Sequence, residues 1–125
     1  MKYMLLLNSA NAAPQDLESP EAAAMYAEFS KVLDVMAQAG VLIDCAPLQP
    51  ASLATTVRVR NGQTLLTDGP AAELREQVGG YTLLECANLD EALKWAEMIP
   101  TARWGSVEVR PLLAVRAPAA ATAAS

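Results

Sequence analysis

The stretch TDGPAAELREQVGG, residues 67–80, gathers most of the side chains with which this chain could do chemistry. Asp68 is followed at once by Gly69 and Pro70, and Glu73, Arg75 and Glu76 come within the length of one helical turn. A carboxyl group partly buried in a pocket has its pKa raised toward that of a useful general acid or base. An arginine beside it offers a fork for a carboxylate or enolate oxygen. The same residues have a plainer reading. Asp can bond its own downstream backbone, Gly frees a dihedral and Pro sets the next, so Asp68-Gly69-Pro70 is also a turn. Glu73, Arg75 and Glu76 read equally as solvated surface, with ion pairs contributing under about 1 kcal/mol. The two roles of Asp68 are compatible.

A second charged pair lies in SVEVRPLL, where Glu108 and Arg110 alternate with Val107 and Val109. The alternation puts the charges on the strand face away from the helices. In an enclosed space they must be paired, either with each other as a structural ion pair or with a ligand. The chain has no histidine. Neither a Ser/His/Asp nor a Cys/His relay can be built, so proton transfer would fall to carboxylates, Tyr, Lys, Cys or the chain amine. Cys45 and Cys86 lack a CxxC spacing and sit in apolar contexts, which reads as reduced core cysteine. Two isolated thiols cannot complete a four-ligand zinc site, and nothing in the residues calls for a metal or a cofactor. Trp95 and Trp104 read as packing residues, since no basic groove accompanies them.

The elements that would hold these side chains follow from patterning. KYMLLL, residues 2–7, reads as a strand apolar on both faces, and residues 8–17 as a loop. Ser19 as N-cap, Pro20 at the first helical position and Glu21 open a helix that closes at Gly40. Met25, Phe29, Val32, Leu33 and Met36 form its apolar stripe. A strand over 41–50 ends at prolines. Asn61-Gly62 fits a two-residue type I′ turn and makes TVRVRNGQTLLT a hairpin, with Val57 facing Leu66, Val59 facing Thr64 and Thr55 facing Asp68. GYTLLECA, 80–87, is a strand. NLDEALKWAEMIP is a helix capped by Asn88 with Glu91 three residues on, and 106–113 is the last strand.

In order this is a ferredoxin-like βαββαβ sandwich of the α+β class with an inserted hairpin. The domain is expected over residues 1–115, with RAPAAATAAS, 116–125, as a disordered low-complexity tail. Two helices cover one face of a sheet, yet strands 2–7 and 80–87 are apolar on both. A second copy of the sheet is the simplest cover, which predicts a face-to-face homodimer.

Composition limits the partners. A chain of 125 residues is one domain, and 53 % apolar with 18 % charged residues is the mix of a packed protein. The formal charge of −5, with nine scattered Lys and Arg, argues against nucleic acid. No apolar run reaches the roughly 20 residues of a membrane span and the N-terminal stretch is too short for a secretory signal, so a cytoplasmic location without membrane contact is the expectation.

The blocks MKYMLLL, GVLIDCAPLQP, TDGPAAELREQVGGYTLLE, LDEALKWAEMIP and GSVEVRP, in that order, resemble the YCII-related family, in particular its branch named for a DGPF motif. The resemblance spans Met1 to about Val115. It implies a dimeric α/β barrel. The aromatic of the motif is Ala71 here, and the His/Asp dyad proposed for relatives nearer the family's namesake has no counterpart in a chain without His. The combined expectation is a homodimer that binds a small organic molecule in a barrel pocket without a cofactor. If it is catalytic, Asp68 would be the acid or base of a lyase- or isomerase-like step and Arg75 or Arg110 would steady an oxyanion, with Glu73 and Glu108 as ligand-binding partners. The alternative that the resemblance raises is a non-catalytic accessory module associated with extracytoplasmic-function sigma factors.

Overall fold

A computed structural model describes residues 1–10 and 18–115 of the chain. The expected tail at 116–125 and most of the loop expected at 8–17 lie outside the described residues. Strand β1 (Lys2–Ser9) leads to helix α1 (Pro20–Gln38), strand β2 (Leu42–Pro47) and a short 3-10 turn at Ala51–Leu53. Strands β3 (Thr55–Arg60) and β4 (Gln63–Asp68) follow, then β5 (Gln77–Glu85), helix α2 (Leu89–Met98), a second 3-10 turn at Pro100–Arg103, and β6 (Ser106–Pro111).

Local chemistry accounts for the boundaries. The Ser19 side chain accepts from the Ala22 N–H to open α1, and Gly40 takes a positive φ of 76° just beyond its end. Asn88 accepts from the Glu91 N–H at 3.0 Å, while Glu91 reaches back to the Ala87 N–H at 2.7 Å, so two orphan donors at the start of α2 are met together.

The main sheet runs β2-β5-β1-β6, antiparallel at each junction. That order, with one helix in each crossover, is the ferredoxin-like α+β fold. Both helices bury onto one face. Tyr3, Leu5, Leu84 and Cys86 from the sheet meet Met36 of α1 and Ala92 and Ala96 of α2 in one cluster. Val107 and Val109 pack against it, as their alternation predicts. The opposite face carries Met4, Leu6, Leu83 and Tyr81, and no helix of the described residues packs over them.

The hairpin stands apart as its own two-stranded sheet. Asn61 (φ 54°) and Gly62 (φ 75°) make the expected left-handed turn, and the pairings Thr55 with Asp68, Val57 with Leu66 and Val59 with Thr64 all hold. Two strands are longer at their starts or ends than the sequence indicates. β1 runs to Ser9, and β5 starts at Gln77, so Gly79 lies inside the strand rather than before it and Gly80 in its interior rather than at its start. The β1–β5 register slips between Leu7 and Asn8, where Gly79 is the extra residue of a bulge.

Candidate functional site

A half-open hollow lies between α1 and the helix-facing side of the sheet. Its volume is about 590 Å³, within the range of small-molecule sites. From α1 come Met25, Phe29 and Leu33, three members of the apolar stripe, and from the sheet and its flanks come Leu7, Pro47 and Trp104. Phe29 and Trp104 meet edge to face at 6.5 Å and 75°. The Arg103 guanidinium lies 5.6 Å from the centre of the Trp104 ring and pairs with Glu28 on α1, which holds this wall in place.

The hollow exists because the sheet offers no side chain where one would fill it. Gly80 pairs with Leu7 on one side and Pro47 on the other, on the helix-facing surface. A Cβ there would stand 3.0 Å from the Ala46 carbonyl oxygen, so β2 would have to give by a few tenths of an ångström to admit a larger residue. Side chains with a polar atom are few: Ser9, Tyr26, Ser30, Cys45, Tyr81, Thr82, Thr101 and Trp104. Cys45 and Thr82 are direct neighbours across the β2–β5 junction. Among the described residues that line the cavity there is no Asp, Glu, Lys or Arg.

The charged residues singled out in the sequence are elsewhere. Asp68 ends β4 with its side chain exposed. The turn after it is pinned to β3: the Gly69 N–H donates to the Ala54 carbonyl at 2.7 Å, and the Thr56 hydroxyl donates to the Gly69 carbonyl at 2.7 Å. Pro70 borders a shallower hollow with Leu48, Pro50, Leu53 and Val78. Glu73 and Arg75 are exposed in an irregular segment, and the helical turn that would have gathered them is not formed. Glu76 takes the Ser106 hydroxyl at 3.2 Å. Glu108 and Arg110 pair with each other at 3.6 Å, both exposed on the helix-free face of the sheet. The structure therefore brings together Glu108 with Arg110, and leaves Asp68, Glu73 and Arg75 apart from the cavity.

Two groups have shifted acidities. The Tyr81 hydroxyl donates to Asp44 at 2.9 Å on the helix-free face, and that bond holds its pKa above the usual phenol value. Burial pushes the Cys86 thiol up, with the Glu91 carboxylate adding to it. Both cysteines are free; Cys86 is core, as its context indicates, whereas Cys45 is half-buried on the cavity wall.

Residues 1–116 match the YCII-related domain. The chain belongs to the YCII-related family. The chain is also 37 % identical over 114 residues to "Uncharacterized protein R00369" of Rhizobium meliloti (strain 1021), a match that covers 90 % of this chain and 92 % of that one. In this YCII-related chain Met25, Phe29, Leu33, Cys45 and Trp104 read from the sequence as packing residues, and their place on a cavity wall is not legible there. The signals that could have found them are the Gly79-Gly80 pair inside an apolar strand and Tyr26 and Ser30 each next to a member of the α1 stripe.

Proposed function

We propose that this YCII-related protein is a binding protein for a small, largely apolar organic molecule, held in the cavity between α1 and the sheet. The observation that carries the reading is the 590 Å³ hollow itself, walled by Phe29, Leu33 and Trp104 and kept open by Gly80. A concave, mostly apolar space with few polar groups is what a small-molecule site needs. Filling it tests the reading. Ser30→Trp, on an exposed helix position at the cavity edge, should leave the fold intact and abolish the stabilisation that 1-naphthol gives the wild-type protein in thermal melts. Equal shifts in both proteins would place the ligand elsewhere.

Acid or base chemistry by Asp68 would need a ligand at the exposed end of β4, which the cavity does not reach. The protein works as a homodimer in this reading, of the DGPF type and in the cytoplasm. Support for the dimer comes from the helix-free sheet face and from the hairpin, where Val57, Val59 and Leu66 share one face and are 60 %, 58 % and 69 % exposed. A two-stranded hairpin is marginal alone, and such a surface calls for a cover. A non-catalytic accessory role beside an extracytoplasmic-function sigma factor would draw on the same apolar hairpin, and a folded monomer in sedimentation would favour it.

A further inference from the structure

We propose that the ligand of this cavity is uncharged, with an aromatic or branched apolar body and one hydroxyl or carbonyl oxygen that hydrogen-bonds Thr82 and Thr101. The inference rests on the cavity being a ligand site and adds the class of ligand. Thr82 and Thr101 are the buried polar residues of the described chain, 3 % and 5 % exposed, and both line the cavity. Thr82 shares the helix-facing surface with Leu5, Cys45 and Leu84, so its side chain stands among core residues at the cavity floor. Neither threonine hydroxyl has a hydrogen-bond partner among the described residues, and neither is sealed off. Both residues line the cavity, and each hydroxyl can donate to a carbonyl or accept from a hydroxyl that enters it.

The walls decide the charge. A carboxylate, phosphate or ammonium placed there would be stripped of water with no opposite charge among the described lining residues to meet it. Of the cations next in the chain to lining residues, Arg103 beside Trp104 is committed to Glu28 and the Trp104 ring, and Lys31 beside Ser30 is exposed. Phe29 and Trp104, crossed edge to face, suit a flat ring.

Calorimetry at neutral pH with four probes of one shape tests the class: naphthalene, 1-naphthol, 1-naphthoate and 1-naphthylmethylammonium. The neutral naphthol should bind about fivefold or more tightly than naphthalene, the margin of one hydrogen bond, and both ions at least about tenfold more weakly than naphthol. In the double variant Thr82→Val, Thr101→Val, of nearly the same volume, the gap between naphthol and naphthalene should close. Thr82→Ser with Thr101→Ser, which restores the hydroxyls, should reopen it. Naphthoate or the ammonium binding as well as naphthol would overturn the uncharged class. A gap that survives in the valine variant would overturn the threonine anchors, and in either case the cavity would stand as a site. No binding by any of the four probes would overturn the cavity reading and this inference with it.

Discussion

The Tyr81 hydroxyl donates to the Asp44 carboxylate at 2.9 Å across the β2–β5 junction, on the face of the sheet that the helices leave bare. The bond is made only by the protonated phenol, and the nearby negative charge adds to the effect, so the proton is held above the ordinary value of 10.0. Tyr81 should therefore ionise above the ordinary phenol value in an ultraviolet pH titration. Asp44→Ala should return it toward 10.0. A phenol with a raised folded value supports the fold fully below its unfolded value and loses that support as pH rises through the folded one. The contribution of the pair should thus be present at neutral pH and fade in alkali beyond pH 10. A titration curve identical in wild type and Asp44→Ala would show that the two side chains do not bond in solution.

Leu66 and Val57 face each other on one open side of the hairpin, and an aspartate there would have to lose its water if a second copy covered that side. Sedimentation of the wild type at low micromolar concentration should show a dimer. Leu66→Asp should weaken it by tenfold or more with no loss of helix signal in circular dichroism. An unchanged dimer in the variant would put the interface elsewhere, and a folded wild-type monomer would remove the homodimer altogether.

The parts of the fold that were legible share a cause: each is written in a few adjacent residues. Asn61-Gly62 dictates a left-handed turn, and the turn in turn dictates every pairing of β3 with β4. Ser19-Pro20 and Asn88 with Glu91 open their helices in the same local way. The cavity is written differently. It arises where a side chain is missing, at Gly80, and from the distance between two layers that no local pattern encodes. Cys45 sits in a run that reads as core and yet faces a hollow, because the α1 residues opposite it do not close the gap. Asp68 was ambiguous for another reason. Alternation separates inside from outside only in a strand with one face covered, and β4 is exposed along its whole length.

The two cysteines give a direct measure of the cavity. Cys86 is 4 % exposed and its thiol is pushed up by burial, whereas Cys45 borders a space that a small reagent can enter. A neutral thiol reagent at mildly alkaline pH should modify one cysteine quickly, and peptide mapping should find it to be Cys45. Cys86 should react only as the protein unfolds. Saturating 1-naphthol should slow the fast reaction several-fold. Two equal fast rates would mean that the helix-facing core opens readily, and a fast rate unaffected by naphthol would mean that the probe sits away from Cys45.

Gly105 tests whether the edge of the sheet beside the cavity is built as tightly as the backbone shows. A Cβ at this position would lie 2.1 Å from the Asn8 carbonyl oxygen, a backbone atom that cannot swing aside. Gly105→Ala must push β6 away from the end of β1, where Ser106 pairs with Asn8. We expect a loss of about 2 kcal/mol or more in denaturant unfolding, the scale of forced backbone shifts. A neutral outcome would show that this end of the sheet yields at little cost.

The final prediction separates the acid at position 68 from the turn that follows it. Gly69 has a φ of 99°, which a residue with a Cβ rarely adopts, and its N–H and carbonyl are both bonded to the β3 side of the hairpin. Gly69→Ala should therefore cost about 1 kcal/mol or more of stability through backbone strain alone, since nothing crowds its Cβ. Asp68→Asn keeps the shape and turn-forming ability of the residue and removes only the titrating group. With an exposed side chain and no part in lining the cavity, it should leave both the melting temperature and the affinity for 1-naphthol unchanged from pH 5 to pH 8. A naphthol affinity that depends on pH in the wild type and loses that dependence in Asp68→Asn would move the site to the end of β4 and revive a proton-transfer role for the acid.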